Sequence, residues 1–388
     1  MLLVTVVLMD ILVGMEFDLF VPSFSELQNQ FNLSPFWVEA LLSINFIGFC
    51  PSLFIVGKLA DRYGRKPILL LGIMIFIIGT SFCLWASFYP FLLVGRFLQG
   101  VGVASPMILS FLIIADNYTV KKQQYLMAIL NGVMNISAGI APVLGSYITL
   151  YFHWQGNFRV LLLLAFITLA MTMLFIPNRT PSEQTNTISL GGYSSIFRSK
   201  PLILLIVHFI CLFAPYWVFV GMTPLLYMGA LGVSLSQFGY YQGSMALIFA
   251  FGSIGYGLII NKYDRKKMLH ISNLILIISF VMIILLSFLD SRNPLFITLA
   301  FILFCIGQIV PTIILYPLCL NLIPQAKGRV SATIQGGRFI FSGLSLQLGG
   351  YCYVGSFQNI GIITAFLILP ATITLFLVLK DRDLKAMI

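Results

Sequence analysis

Three acids stand in the first apolar stretch of the chain, Asp10, Glu16 and Asp18, and two arginines, Arg96 and Arg338, stand inside later ones. A charge embedded in an apolar run costs several kcal/mol unless it is paired or hydrated, so these positions are candidates for ion pairing and for proton uptake and release. Asp10 and Asp18 are eight residues apart. On a helix that places them about 12 Å apart along the axis and about 80° around it, so both can line one cavity at different depths. Glu16 lies about 200° from Asp18 and is expected to face another helix. Arg96 follows Pro90 by six residues. It therefore sits about 9 Å inside its run, a depth comparable to that of Asp18, and the two can pair. Arg338 lies some ten residues into its run, where snorkelling to a surface is hard. His208, alone in an apolar stretch, reads as a packing residue.

The elements that must hold these residues follow from composition. Of 388 residues, 59% are hydrophobic and 9% charged, far from the roughly one quarter charged of a soluble domain. The chain reads as an integral membrane protein. A span needs about 20 apolar residues to cross about 30 Å of hydrocarbon. Twelve runs meet that need, at 2–24, 36–56, 67–87, 90–114, 124–150, 156–176, 201–228, 237–260, 268–288, 294–317, 329–352 and 357–379. Runs this long must be helices, because the bilayer offers no water to satisfy unpaired backbone groups. The first run lacks a basic flank and is interrupted by its acids, so it reads as a span and not a cleaved leader. Met1 opens directly into it, which leaves room for residues ahead of it.

Charge placement gives the orientation. Eighteen of the 22 Lys and Arg, all but Arg96, Arg159, Arg292 and Arg338, fall in alternate loops or the C-terminal tail, which puts both termini in the cytoplasm. The net charge of +10 is thus explained by loops beside a membrane, and no nucleic-acid partner is implied. The six Cys show no C-x-x-C spacing, so neither a disulfide framework nor a metal site is indicated. Trp37, Trp85 and Trp154 fall at outer span ends and read as interfacial anchors. Phe46, Tyr216, Trp217 and Phe219, on helices expected to border a cavity, suit planar ligands.

The polar stretch PNRTPSEQTNTISLGGYSSIFRSK divides the chain into a bundle at 1–176, a cytoplasmic linker at 177–200 and a second bundle at 201–388. GKLADRYGRK from Gly57 and GLIINKYDRK from Gly257 stand at equivalent places in the two halves. Repeated six-span halves place a substrate site near the midplane between them, with one half rocking against the other. The fold class is therefore all-α, a polytopic membrane protein of twelve transmembrane helices in two pseudo-symmetric six-helix bundles.

The loop pattern G-x-L-A-D-R-x-G-R-K, here Gly57, Leu59, Ala60, Asp61, Arg62, Gly64, Arg65 and Lys66, resembles the signature of the major facilitator superfamily. Gly57 permits close helix approach, Gly64 supplies a turn with φ unfavourable to other residues, and Asp61 offers a carboxylate to basic neighbours. The resemblance implies that Arg65 pairs with Asp116 at the end of the fourth span and that Asp61 faces the start of the eleventh near Gly328, as a cytoplasmic latch. RFLQGVG from Arg96 resembles the fourth-span signature of proton-coupled members, and GIAPVLGS resembles the fifth-span signature of exporters, through Gly139, Pro142 and Gly145, with Ala141 and Ser146 where Gly is usual. FDLFVP in the first span is similar to the Bcr/CflA-type drug:proton antiporters.

The resemblance implies a proton-coupled antiporter exporting drugs or metabolites across a bacterial inner membrane, acting as a monomer, with no cofactor beyond the proton gradient. The eight-residue acid pair is similar to one in multidrug antiporters that exchanges protons and cationic drug, with Asp10 where Glu is usual. Asp18 is expected to alternate between Arg96 and a proton, and Asp10 to bind proton or substrate deeper in. Arg338 keeps an anionic cargo open, either export of a polycarboxylate such as a siderophore or import of a small organic anion. An ATP-driven pump would need a G-x-x-x-x-G-K-[ST] loop, and the three scattered His give no constellation for an enzyme. A channel would not require a duplicated latch loop.

Overall fold

A computed structural model describes residues 1–178, 198–323, 327–381 and 384. Most of the expected 177–200 linker lies outside the described residues. The described chain is helical, with no strand. The helices are α1 (Leu2–Asp18), α2 (Phe24–Phe31), α3 (Pro35–Tyr63), α4 (Arg65–Leu84), α5 (Tyr89–Asn117), α6 (Val120–Phe175), α7 (Lys200–Pro224), α8 (Leu235–Ile259), α9 (Arg265–Phe288), α10 (Pro294–Asn321), α11 (Lys327–Cys352) and α12 (Phe357–Lys380). Nine stretches of the described residues are long and apolar enough to cross a membrane. α6 crosses twice, because its backbone leaves helical geometry at His153 (φ 59°, ψ −178°). The shorter α1 and the more polar α11 supply the remaining spans of a twelve-helix architecture.

Apolar side chains cover the outside as well as the core: Leu258 is 80% exposed, Leu174 73% and Phe366 70%. Such a surface is stable against lipid and not against water.

The described residues fall into two compact units, one containing 1–178 with Ser234–Gly243, the other 198–233 with the residues from Ser244 onward. In the first unit α3 and α4 pack on α5, and α1 packs on α6 and α5. In the second, α7 packs on α11 and α12, and α9 on α10 and α12.

Three expectations about helix ends and packing are corrected. The first span ends at Asp18, six residues before the expected end, because Pro22 opens a 3-10 turn at Val21–Ser23; proline has no N–H to continue the ladder. The short α2 follows. It holds the turn inside α6, since Glu26 accepts from the Trp154 backbone N–H at 2.9 Å and meets His153 Nδ1 at 2.9 Å. Trp154 is accordingly no interfacial anchor. It is fully buried, its indole N–H bonded to Gln30, whereas Trp37 and Trp85 are exposed. Gly57 mediates no close approach among the described residues, as a Cβ there would meet nothing within 4 Å. The tight contact of α3 falls instead at Gly48, where a Cβ would collide with the Phe97 carbonyl of α5.

Candidate functional site

Arg96 is held by oxygen acceptors from three helices, a carboxylate, a side-chain amide and a backbone carbonyl. α5 carries it inward from Pro90, and it is fully buried. Its guanidinium donates to Glu16 Oε1 of α1 at 2.9 Å, to Gln99 Oε1 one turn further along α5 at 2.7 Å, and to the Leu41 carbonyl of α3 at 3.2 Å. The face of the Phe20 ring lies 4.0 Å from its Cζ. Asn45 of α3 donates to Glu16 Oε1 at 2.7 Å and to the Arg96 carbonyl at 3.0 Å, while Gln99 donates to Thr80 of α4 at 2.8 Å. The ion pair is thus the centre of a polar network linking α1, α3, α4 and α5. In a dry interior such a pair needs supporting hydrogen bonds; here they gather on Glu16 Oε1 and Arg96 Nη1, while Glu16 Oε2 and Arg96 Nη2 are buried without a partner among the described residues.

The cation's partner is therefore Glu16 and not Asp18, which corrects the pairing expected from depth. Equal depth on two helices does not put two side chains on facing sides. Glu16, on the other side of α1, points at α5.

Asp18 is 3% exposed and, among the described residues, accepts a long contact, 3.4 Å, from Gln242 in the Ser234–Gly243 stretch of the same unit. Asp10 is fully buried beside Ser110 of α5, and neither carboxylate oxygen completes a hydrogen bond among the described residues. No cation stands within ion-pair distance of either aspartate among the described residues.

The stretch containing Gly139, Pro142 and Gly145 is a docking face. A Cβ on Gly239 would lie 2.7 Å from the Pro142 carbonyl and 2.7 Å from Ser146 Oγ, and one on Gly243 would lie 2.7 Å from the Gly139 carbonyl. Gly239 and Gly243 thus form a small-x-x-x-small ridge that lets two backbones touch. A Cβ on Gly145 would collide with the Leu19 carbonyl just past the end of α1. Tyr147 and Tyr240 share a hydrogen bond of 2.8 Å beside this face.

In the loop between α3 and α4, Gly64 has φ 95°, a conformation that other residues rarely adopt. The turn brings Arg65 between two carboxylates, Asp61 Oδ1 at 2.5 Å and Asp116 Oδ2 at 3.1 Å. Arg62 lies over the Tyr63 ring at 5.2 Å. Asp61 therefore spends a carboxylate oxygen on its own loop; the side-chain surroundings of Gly328 lie outside the described residues.

In the second unit Arg338 donates to Gln335 at 2.9 Å, and its Cζ lies 3.7 Å from the Phe213 ring centre. No carboxylate of the described residues pairs with it. His208 is buried, its Nδ1 3.1 Å from both the Ala371 carbonyl and Thr374 Oγ1 of α12, and its Nε2 has no partner among the described residues. The aromatic residues expected at a cavity are largely packed: Phe46 lies against Phe17, and Phe219 stacks on Phe301 at 3.7 Å.

Two features went unread in the sequence. Asn45, Thr80 and Gln99, each a lone polar residue in an apolar run, mark the network around Arg96. Glu39, in the first turns of α3, is fully buried with neither oxygen bonded among the described residues.

Known proteins agree with this architecture. A profile of the Major Facilitator Superfamily matches residues 6–346. The multidrug resistance protein MdtL of Shewanella oneidensis is 25% identical over 75% of this chain and 73% of its own length. The bicyclomycin resistance protein homolog of Haemophilus influenzae is 26% identical over 70% of each chain. The crystal structure of a D-xylose-proton symporter superposes with a TM-score of 0.77 over 96% of each chain at 15% identity, a likeness of fold. The chain is a multi-pass membrane transporter, not an enzyme, and it belongs to the major facilitator superfamily.

Proposed function

We propose that this transporter is an efflux antiporter that exchanges protons for small molecules across a bacterial inner membrane by alternating access, as a monomer with cytoplasmic termini and no cofactor. The observation that carries the reading is the division of labour among the first-helix acids. Glu16 is neutralised by Arg96, whereas Asp10 and Asp18 are buried with no cation at ion-pair distance among the described residues.

A carboxyl in that situation has two inexpensive states: neutral with a proton, or charged opposite a bound cation. The states exclude each other at one side chain. Binding of a cationic substrate then releases a proton, and proton uptake releases the substrate, which is the logic of antiport. Asp18 also reaches Gln242 on the docked stretch of α8, so loading Asp18 changes a contact that holds this stretch in place. Arg65 with Asp61 and Asp116 would serve as the cytoplasmic latch. Export is supported by the resistance functions named for the relatives and by the closely packed Gly139, Pro142 and Gly145 face.

Proteoliposomes with an imposed pH gradient test this, screened with cationic dyes and with citrate-like chelators. Dye movement with proton counterflow is expected, lost in Asp18→Asn and impaired in Asp10→Asn. Gradient-driven transport that survives both substitutions rules the reading out.

A second reading rests on Arg338, a cation near mid-span with an aromatic ring on one face and no carboxylate partner among the described residues. It supports an anionic polycarboxylate as cargo, siderophore-like, exported or imported. The chelator arm of the same assay separates the two, with Arg338→Gln expected to abolish chelator movement and spare the dye.

A further inference from the structure

Within the second unit, α8, α9 and α10 enclose a groove of about 710 Å³ that the transport reading leaves unused. α8 lines it with one stripe running from Leu247 through Phe251 to Tyr256, α9 with Met268 to Ile275, and α10 with Ile306 to Val310. The lining is almost wholly apolar. Phe251, 58% exposed, and Ile271, 49% exposed, stand at its mouth, so it opens on the lipid-facing surface.

Its depth is informative. From Arg265, the first residue of α9, to Ile275 is ten residues. That is about 15 Å of helix, half of a hydrocarbon core of about 30 Å. The groove therefore spans one leaflet, starting at the loop between α8 and α9.

Ser244 and Ser272 are also among the lining residues, but the basic side chains stand at that end. Tyr256 is 7% exposed, yet its hydroxyl has no hydrogen-bond partner among the described residues, and Arg265 lies within electrostatic reach of it. Arg265 stands in the same helical row as Met268 and Ser272, and Lys267 in the row of Ile271. Among the described residues the acid beside them is Asp264, whose Oδ1 caps α9 by accepting from the Lys267 backbone N–H at 2.8 Å.

We propose that this groove is a binding site for an anionic phospholipid, with an acyl chain between α8, α9 and α10 and the phosphate held by Tyr256, Arg265 and Lys267. Apolar depth alone would accept any lipid; two basic side chains and a buried hydroxyl donor at headgroup level select the anionic one, as basic clusters at membrane surfaces do.

The test is photo-crosslinking of the full chain in nanodiscs, with phosphatidylglycerol and phosphatidylcholine probes carrying the same diazirine-labelled acyl chain. Adducts are expected in peptides of 244–256 and 268–275, favouring phosphatidylglycerol by at least about tenfold. Arg265→Gln with Lys267→Gln, both on the surface, should bring the two probes to parity. Tyr256→Phe should lower the preference severalfold, and Ile271→Trp, which plugs the mouth, should reduce both probes alike. Equal labelling by the two probes, adducts mapping elsewhere, or a preference that persists in the double variant each overturns the proposal. So does suppression of adduct formation by tetraphenylphosphonium present during irradiation together with indifference to phosphatidylglycerol, which would mark a lipophilic-cation site.

Discussion

At the residue scale the arrangement turns on which acid owns Arg96. The Arg96–Glu16 pair is fully buried, and removing one partner of such a pair typically costs about 3–5 kcal/mol because the other charge is stranded. Glu16→Gln should therefore lower the unfolding temperature in detergent sharply. Replacing both partners, Glu16→Gln with Arg96→Met, should restore much of the loss. Additive losses in that double-mutant cycle would show that the two residues do not act as a pair. Glu39 gives the opposite expectation. Its carboxyl is buried with no bonding partner among the described residues, so Glu39→Leu removes a desolvation penalty, typically about 1–3 kcal/mol. It should raise thermal stability and leave transport intact; a loss of pH-driven transport would instead enrol Glu39 among the proton carriers. The sequence marked Asp10, Asp18, Arg96 and Arg338 as unusual because charge in an apolar run stands out by itself. It did not reveal that Glu16 takes Arg96, because that depends on the rotation of α1 against α5, which spacing along one helix does not contain. Glu39 escaped because it stands close to the start of its run, where a charge is less conspicuous than one deep inside it.

At the element scale, membrane spans are legible because hydropathy and chain length are local properties, and the bilayer enforces both. What the sequence left unread are interruptions decided by tertiary contacts. The stretch 2–24 looked like one span, but the backbone turns at Pro22 and α2 folds back to cap the second half of α6 through Glu26. The docking of Gly239 and Gly243 on the Gly139–Ser146 stretch was equally hidden, since glycine spacing on one helix names no partner. This docking makes a sharp prediction. The atom facing Gly239 is the backbone oxygen of Pro142, 2.7 Å from an added Cβ, and a backbone atom cannot rotate away. Gly239→Ala should push the Ser234–Gly243 stretch off this face at a cost of about 1–3 kcal/mol. The measurement is thiol labelling of Ser146→Cys, expected to quicken severalfold when Gly239→Ala is added; an unchanged rate would mean the contact closes nothing.

At the scale of the whole molecule, the proposed exchange cycle would have its proton count fixed by the buried charges. Arg96 and Glu16 cancel, so the net charge available to a cargo in the first unit is that of Asp10 and Asp18. If both carboxyls return protonated and leave opposite a monovalent cation, each cycle carries two protons inward for one positive charge outward. One net positive charge then moves inward per cycle, and an inside-negative potential drives transport as well as a pH gradient does. Asp10→Asn leaves one exchangeable proton, and one proton against one cation moves no net charge. Proteoliposomes holding a monovalent cationic dye, under a valinomycin-imposed potassium potential without a pH difference, should therefore show dye movement with the unmodified chain and none with Asp10→Asn. Under a pH difference without a potential, both should transport. If Asp10→Asn keeps its response to the potential, Asp10 carries no proton in the cycle and acts on the cargo alone.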